Sequence, residues 1–248
     1  MLLVGFATQG VCAEQSAAAL AETMRLARYS DGFEARMNVS AFKADGQRSA
    51  SFRLAMIGQV GDGGQRLVIR GITPDKVRNR FVAAEKGAGG TIRAIAYTDV
   101  STGGTEKFDS AMKLFDSGMV LWDMFASWWN WGKQTLVEKD VVAGRGCIVV
   151  RSQTDENTAP IREVVSCVDK EAKLSLRTQL FDRQHALVRT ITVERLVRKE
   201  SGAMAAKRLT ITGADDSVTE VEVYSGDEHY LITADTFATL DSHRGISK

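Results

Sequence analysis

Apolar residues recur at two different periods along the chain, and the changes of period divide it. From Glu14 to Arg28, EQSAAALAETMRLAR contains no glycine or proline and places Ala18, Leu20, Ala21, Met24, Leu26 and Ala27 at helical spacing. That pattern predicts an amphipathic N-terminal helix, ended by Ser30-Asp31-Gly32. Beyond it the period falls to two. Met37, Val39 and Ala41 alternate with Arg36, Asn38 and Ser40, and Phe52, Leu54 and Met56 alternate with Ser51, Arg53 and Ala55. The Lys43–Arg48 stretch, with Asp45-Gly46, reads as the hairpin turn between them. Arg66–Arg70, Asn79–Ala84 and Thr91–Tyr97 continue the meander, punctuated by the glycine clusters at Gly61–Gly64 and Gly87–Gly90.

A polar stretch, Thr98–Thr105, then interrupts the alternation, and helical spacing returns from Phe108 through Trp131, with a break expected at Gly118. All four tryptophans of the chain, Trp122, Trp128, Trp129 and Trp131, lie in this segment. On an ideal helix Leu121, Trp122, Met124, Phe125, Trp128, Trp129 and Trp131 cover about half the circumference. Asp123, Ala126, Ser127 and Asn130 fill the other half. From Thr135 the strand pattern resumes through Thr135–Val142, Cys147–Arg151, Ile161–Val168, Leu174–Phe181, Ala186–Val197, Lys207–Thr212 and Val218–Tyr224.

The expected fold class is α+β, mostly β. A single curled antiparallel sheet of roughly eleven strands forms a half-barrel, with the N-terminal helix and a central aromatic helix packed on its inner face. No linker or repeat divides residues 14–248, so they are read as one domain.

Composition narrows the function classes. Lys and Arg number 32 against 31 Asp and Glu, a formal charge of +1 spread along the chain. That leaves no nucleic-acid footprint and no basic membrane-binding block. Nothing past the N-terminus approaches 18 consecutive apolar residues, so no spanning helix is expected there. Residues Met1–Ala13, MLLVGFATQGVCA, are uncharged and mostly apolar, and Val11-Cys12-Ala13 offers small residues where a signal peptidase reads. A cleaved leader over residues 1–13, and export, are expected, although a basic n-region is missing.

Without the leader two cysteines remain. If the polar segment Ser152–Pro160 is a symmetric loop centred near Asn157, antiparallel pairing sets Cys147 opposite Cys167, within the range of a disulfide. Two separate buried thiols are the alternative.

No catalytic pattern emerges. His185, His229 and His243 have no metal-ligand spacing to another donor, and the glycine clusters VGDGG and KGAGG do not follow a strand and open a helix. No GxSxG or HExxH motif occurs. No cofactor and no enzymatic activity are therefore expected. The remaining feature is apolar: either the aromatic segment plugs the curled sheet, or the two leave a cavity for a greasy ligand such as an acyl chain.

The chain resembles the outer-membrane lipoprotein-sorting family over roughly Tyr29–Leu240. The resemblance is carried by the strand–helix–strand order, by Ser117–Asp123 with the Trp-rich end, by Val142–Cys147 (VAGRGC), and by the hairpin from Cys167–Lys170 to Leu180–Asp182. It implies a convex antiparallel sheet over helices, holding a lipoprotein or lipid acyl chain in the periplasm. It also implies a monomer that receives cargo from an inner-membrane donor or passes it to an outer-membrane acceptor. Leu121, Trp122, Met124, Phe125, Trp128, Trp129 and Trp131 would line the space for the chain. The sequence departs from the family at Thr98–Thr105, which lacks the usual aromatic and proline-rich strand, and no equivalent of the family's lid-holding basic residue is evident.

Overall fold

The computed structural model describes residues 16–26, 32–61, 64–78, 80–87, 90–97, 105–156 and 159–242. The leader expected at residues 1–13, the apex of the Ser152–Pro160 loop and His243 lie outside them.

The predicted N-terminal helix is α1 (Ala17–Leu26), and the alternating segments form a single 13-stranded antiparallel sheet. Six strands come first: β1 (Phe33–Phe42), β2 (Arg48–Gly61), β3 (Gly64–Thr73), β4 (Phe81–Lys86), β5 (Ile92–Tyr97) and β6 (Thr105–Lys107). Seven follow: β7 (Lys133–Val142), β8 (Arg145–Gln153), β9 (Glu163–Asp169), β10 (Leu174–Phe181), β11 (Leu187–Arg198), β12 (Met204–Gly213) and β13 (Val218–Asp227). A short helix, α2 (Asp75–Arg78), joins β3 to β4, and another, α3 (Leu121–Met124), lies between β6 and β7. The chain closes with a 3₁₀ turn, Ala234–Phe237, running into α4 (Ala238–Ser242). The thirteen strands are the twelve segments marked by the alternation together with a short edge strand, β6, where the sequence turns polar, a larger sheet than the roughly eleven strands expected.

Strand order explains the interrupted meander. In space the order is β6-β5-β4-β3-β2-β1-β13-β12-β11-β10-β9-β8-β7. The chain starts in the middle at β1, walks outward to the edge at β6, and resumes at the opposite edge with β7. It then walks back until β13 pairs with β1, placing Val39 beside Val221. Residues 108–132 must therefore cross the sheet from one edge to the other. They do so on its concave face, where β1–β5, β12 and β13 bury Leu114, Met119, Leu121 and Phe125. The rest of that face, at β8–β10, is covered by Trp128 and Trp129 together with Leu20, Ala21 and Met24 of α1.

The convex face has its own cover. Phe237 and Leu240 dock on Val68, Ala83 and Ile95 of β3–β5. Arg66 pairs with Asp241 at 2.6 Å and lies over the Phe237 ring, while Arg93 donates to the Leu240 carbonyl at 2.9 Å.

Cys147 of β8 and Cys167 of β9 are joined, with their Cα atoms 5.4 Å apart. Their register differs from the expected one: Val149, not Cys147, stands opposite Cys167, so the bridge is diagonal. The loop between the strands is not symmetric about Asn157, and one pleat of offset still leaves both sulfurs on the same face. Asp140 is the register partner of Cys147 on β7, and Arg177 is that of Cys167 on β10. These two outer residues form an ion pair across the row, which helps to leave Cys147 and Cys167 only 6% and 2% exposed. The Asp140 carboxyl is held below the usual aspartate range by the Val141 backbone N–H and by Arg177. The bridge closes a separation of 20 residues. Reduction is expected to lower stability by about 3 kcal/mol, read as a shift in the urea midpoint with and without a phosphine reductant. A thiol count on unfolded, unreduced full chain should find Cys12 alone reactive.

Candidate functional site

The crossing segment is not the helix that its spacing predicts. Phe108–Val120 is irregular, with Phe115 and Asp116 at positive φ (51° and 59°). Gly118 lies in a bend, where its N–H donates to Thr219 Oγ1 at 2.7 Å and an added Cβ would stand 3.0 Å from that hydroxyl. The single helix expected over Leu121–Trp131 is α3 followed by a 3₁₀ turn, Ser127–Asn130, with Ala126 left-handed (φ 41°) between them.

The break follows from what must be buried. Leu121 and Phe125, four apart, pack into the β1–β5 side. Trp128 and Trp129 pack into the β8–β10 side, and no straight helix turns one arc toward both. Polar contacts satisfy the freed backbone. Buried Lys86 of β4 donates to the Phe125 carbonyl at 3.1 Å. The Gln134 amide donates to the carbonyls of Trp128 and Trp131, both at 2.9 Å, and accepts from Ser152 Oγ at 2.6 Å.

Of the expected wet side of this helix only Asn130 is exposed. The Asp123 side chain is 6% exposed and makes a bidentate pair with Arg189 of β11, itself 12% exposed. Burial pushes the Asp123 carboxyl above the ordinary aspartate range, and the Arg189 guanidinium opposes that shift. Two buried formal charges on this mainly apolar face are stabilised as a hydrogen-bonded pair.

Between this segment and the central strands lies a cavity of about 1070 Å³. Its walls are the concave faces of β1, β2 and β11–β13, and Met119–Met124 forms the opposite side. The deep wall is aliphatic and rich in methionine: Met37, Met56, Met119 and Met124 with Leu209 and Ile211. Four of the chain's eight methionines meet there, and their unbranched thioethers give a wall that adapts to the shape of its contents. The rim is polar, at the β11–β12 turn and beyond β13, where Lys199 pairs with Glu228 at 2.5 Å.

Of the seven residues expected to line a ligand space, only Met124 borders this cavity. Leu121 and Phe125 are fully buried against the first half of the sheet. Trp128 and Trp129 are 3% and 5% exposed in the cluster with α1, flanked by half-buried Trp122 and Trp131. Their rings lean on one another, Trp122 and Trp128 with centroids 5.6 Å apart. The aromatic arc is thus mainly a core element, and the cavity is a product of the strands. Its lining was partly visible in sequence as the inward positions Met37 and Met56. Leu209 and Ile211 alternate in the same way, but nothing local separates an inward position that meets the crossing from one that faces space.

No protein-family model matches the chain, and no curated protein matches it in sequence. Solved structures do match in fold. A domain from Vibrio parahaemolyticus, provisionally named an outer membrane lipoprotein-sorting protein domain, superposes with a TM-score of 0.81 at 13% identity, covering 92% of this chain and 98% of its own. A DUF1329 family protein from Desulfovibrio piger gives 0.80 at 14% identity, over 89% and 95% of the two chains. A LolA superfamily protein from Nitrosomonas europaea gives 0.70 at 12% identity, over 90% and 97%. The chain therefore has the open half-barrel fold of these proteins.

Proposed function

We propose that this protein is an exported, non-enzymatic carrier or binding protein that holds the acyl chains of a lipid or lipoprotein in the cavity of its half-barrel. The observation that supports the reading is the cavity itself, whose roughly 1070 Å³ reaches the upper end of the roughly 300–1,000 Å³ common for small-molecule sites. Its apolar wall rewards methylene groups at about 0.8 kcal/mol each, and its polar rim suits a head group left in water. The half-barrel shared with lipoprotein-sorting and LolA superfamily structures agrees with this use. The periplasm is the proposed compartment, with an inner-membrane donor or an outer-membrane acceptor as proposed partners, and the protein acting as a monomer.

A self-filled structural module is the second reading, and a specific observation favours it for part of the molecule. Between β7 and β10 the concave face is filled by the tryptophans and α1. The cavity lies over the strands that this filling leaves uncovered.

Native mass spectrometry of protein taken gently from cells tests the proposal. Mass increments matching acyl lipids are expected, and they should be removed by organic extraction. A second test narrows the place. Ala35, half-buried on the inner face of β1, borders the cavity, so Ala35→Trp should weaken uptake of a fluorescent acyl probe about tenfold or more, as overpacking of about 1–3 kcal/mol would require. Equal uptake by wild type and Ala35→Trp would move the site elsewhere.

A further inference from the structure

We infer that the cargo carries an anionic group at the end of its chain and that Lys207 is the residue that recognises it; this rests on the chain-binding reading above. The cavity rim contains several charges, and nearly all are occupied. Lys199 is paired with Glu228 at 2.5 Å, Arg198 donates to the Gly202 carbonyl at 3.0 Å, and Glu34 is held by Arg36 at 3.2 Å. Asp227 accepts from the His229 N–H at 2.8 Å, and deeper in, Asp123 is held by Arg189. Glu200 and the His229 side chain are exposed to solvent. Lys207 differs from all of these. It borders the cavity, is half-buried, and makes no hydrogen bond or ion pair among the described residues.

Its place on the strand puts it at the edge of the cavity. In the β11–β12 ladder Leu196 pairs with Ala206 and the adjacent Arg195 pairs with Arg208. The ladder keeps one register on either side, Val193 with Leu209 and Leu196 with Ala206, so the step at Arg195 is a local irregularity with no extra residue on β12, and Lys207 lies within it. Lys207 falls where β12 leaves the aliphatic wall of Leu209 and Ile211 and reaches the rim, so a cation on a flexible stem stands where the polar end of a buried chain would emerge. A half-buried ammonium with no protein acceptor is completed by an anionic oxygen from the ligand, through a charge-assisted hydrogen bond. A fatty-acid carboxylate and a lipid phosphate both supply it.

The test titrates delipidated protein with oleate, oleyl alcohol and oleoyl lysophosphatidate, which share one chain and differ at the head, at a mildly alkaline pH where oleate is ionised. Wild type is expected to bind oleate about tenfold more tightly than oleyl alcohol. Lys207→Gln should erase that preference with oleyl alcohol binding unchanged, and Lys207→Arg should keep it. The tighter of oleate and lysophosphatidate identifies carboxylate or phosphate as the group recognised. Equal affinity of wild type for oleate and oleyl alcohol would overturn the head-group inference while leaving chain binding intact. Failure of all three ligands to bind would instead overturn the chain-binding reading itself.

Discussion

Trp128→Ala is expected to remove about 3–5 kcal/mol of folding stability while leaving acyl-chain binding by the folded protein unchanged. The indole is 3% exposed and packs against Trp122, Trp129 and the α1 side of the concave face, away from the cavity. Truncation removes the transfer free energy of a large ring and leaves a void that the neighbouring tryptophans cannot fill without losing their own contacts. Urea unfolding measures the first quantity, and probe titration under native conditions measures the second. A small stability loss with a large binding loss would place the ring in the binding site rather than in the core.

Asp123→Ala should cost about as much, roughly 3–5 kcal/mol, because it strands a buried guanidinium. Arg189 projects from β11 onto the concave face, and its two hydrogen bonds to Asp123 tie α3 to that strand. Removing the carboxylate leaves a guanidinium that is 12% exposed without its acceptor. The double change Asp123→Leu with Arg189→Met is expected to recover most of the loss, since an apolar pair of similar volume carries no desolvation penalty. If the single change cost under about 1 kcal/mol, the pair would be behaving as a surface ion pair. The burial seen for both side chains would then not describe the protein in solution.

Much of the fold was legible because a strand with one wet face announces itself residue by residue. The alternation over Leu174–Phe181 coincides with β10, and Arg36–Phe42 lies within β1. Strand order was not legible, because the pairing of β1 with β13 joins residues at opposite ends of the chain and leaves no local trace. Without that pairing, the route of residues 108–132 from one sheet edge to the other could not be drawn. The aromatic arc shows why this matters. Its spacing fits a helix, yet Phe125 and Trp128 are claimed by opposite halves of the sheet, and the backbone breaks at Ala126 to serve both. Strand β6 and the α4 strap were missed for a related reason: their sequences are polar or short, and neighbours across the sheet hold them in place.

The candidate site was legible at its inward positions and no further. Met37 and Met56 read as buried, as would any core residue, and only the course of Met119–Met124 above them decides that they face a cavity. Lys207 carried no signal at all, since its place at the cavity rim depends on how β12 lies against its neighbours and the crossing segment. The paired cysteines fall between these cases. A hairpin was foreseeable, but its register shifted by one pleat, and the bond tolerates that shift because both residues keep the same face.

The central claim is that the half-barrel binds an acyl chain beside, and not within, its tryptophan core. Titration of delipidated wild type, Ala35→Trp and Trp128→Phe with one fluorescent acyl probe tests it most directly. The account predicts saturable uptake by wild type and Trp128→Phe and sharply weakened uptake by Ala35→Trp, with all three folded. No saturable uptake by wild type, or loss in Trp128→Phe with retention in Ala35→Trp, would contradict it.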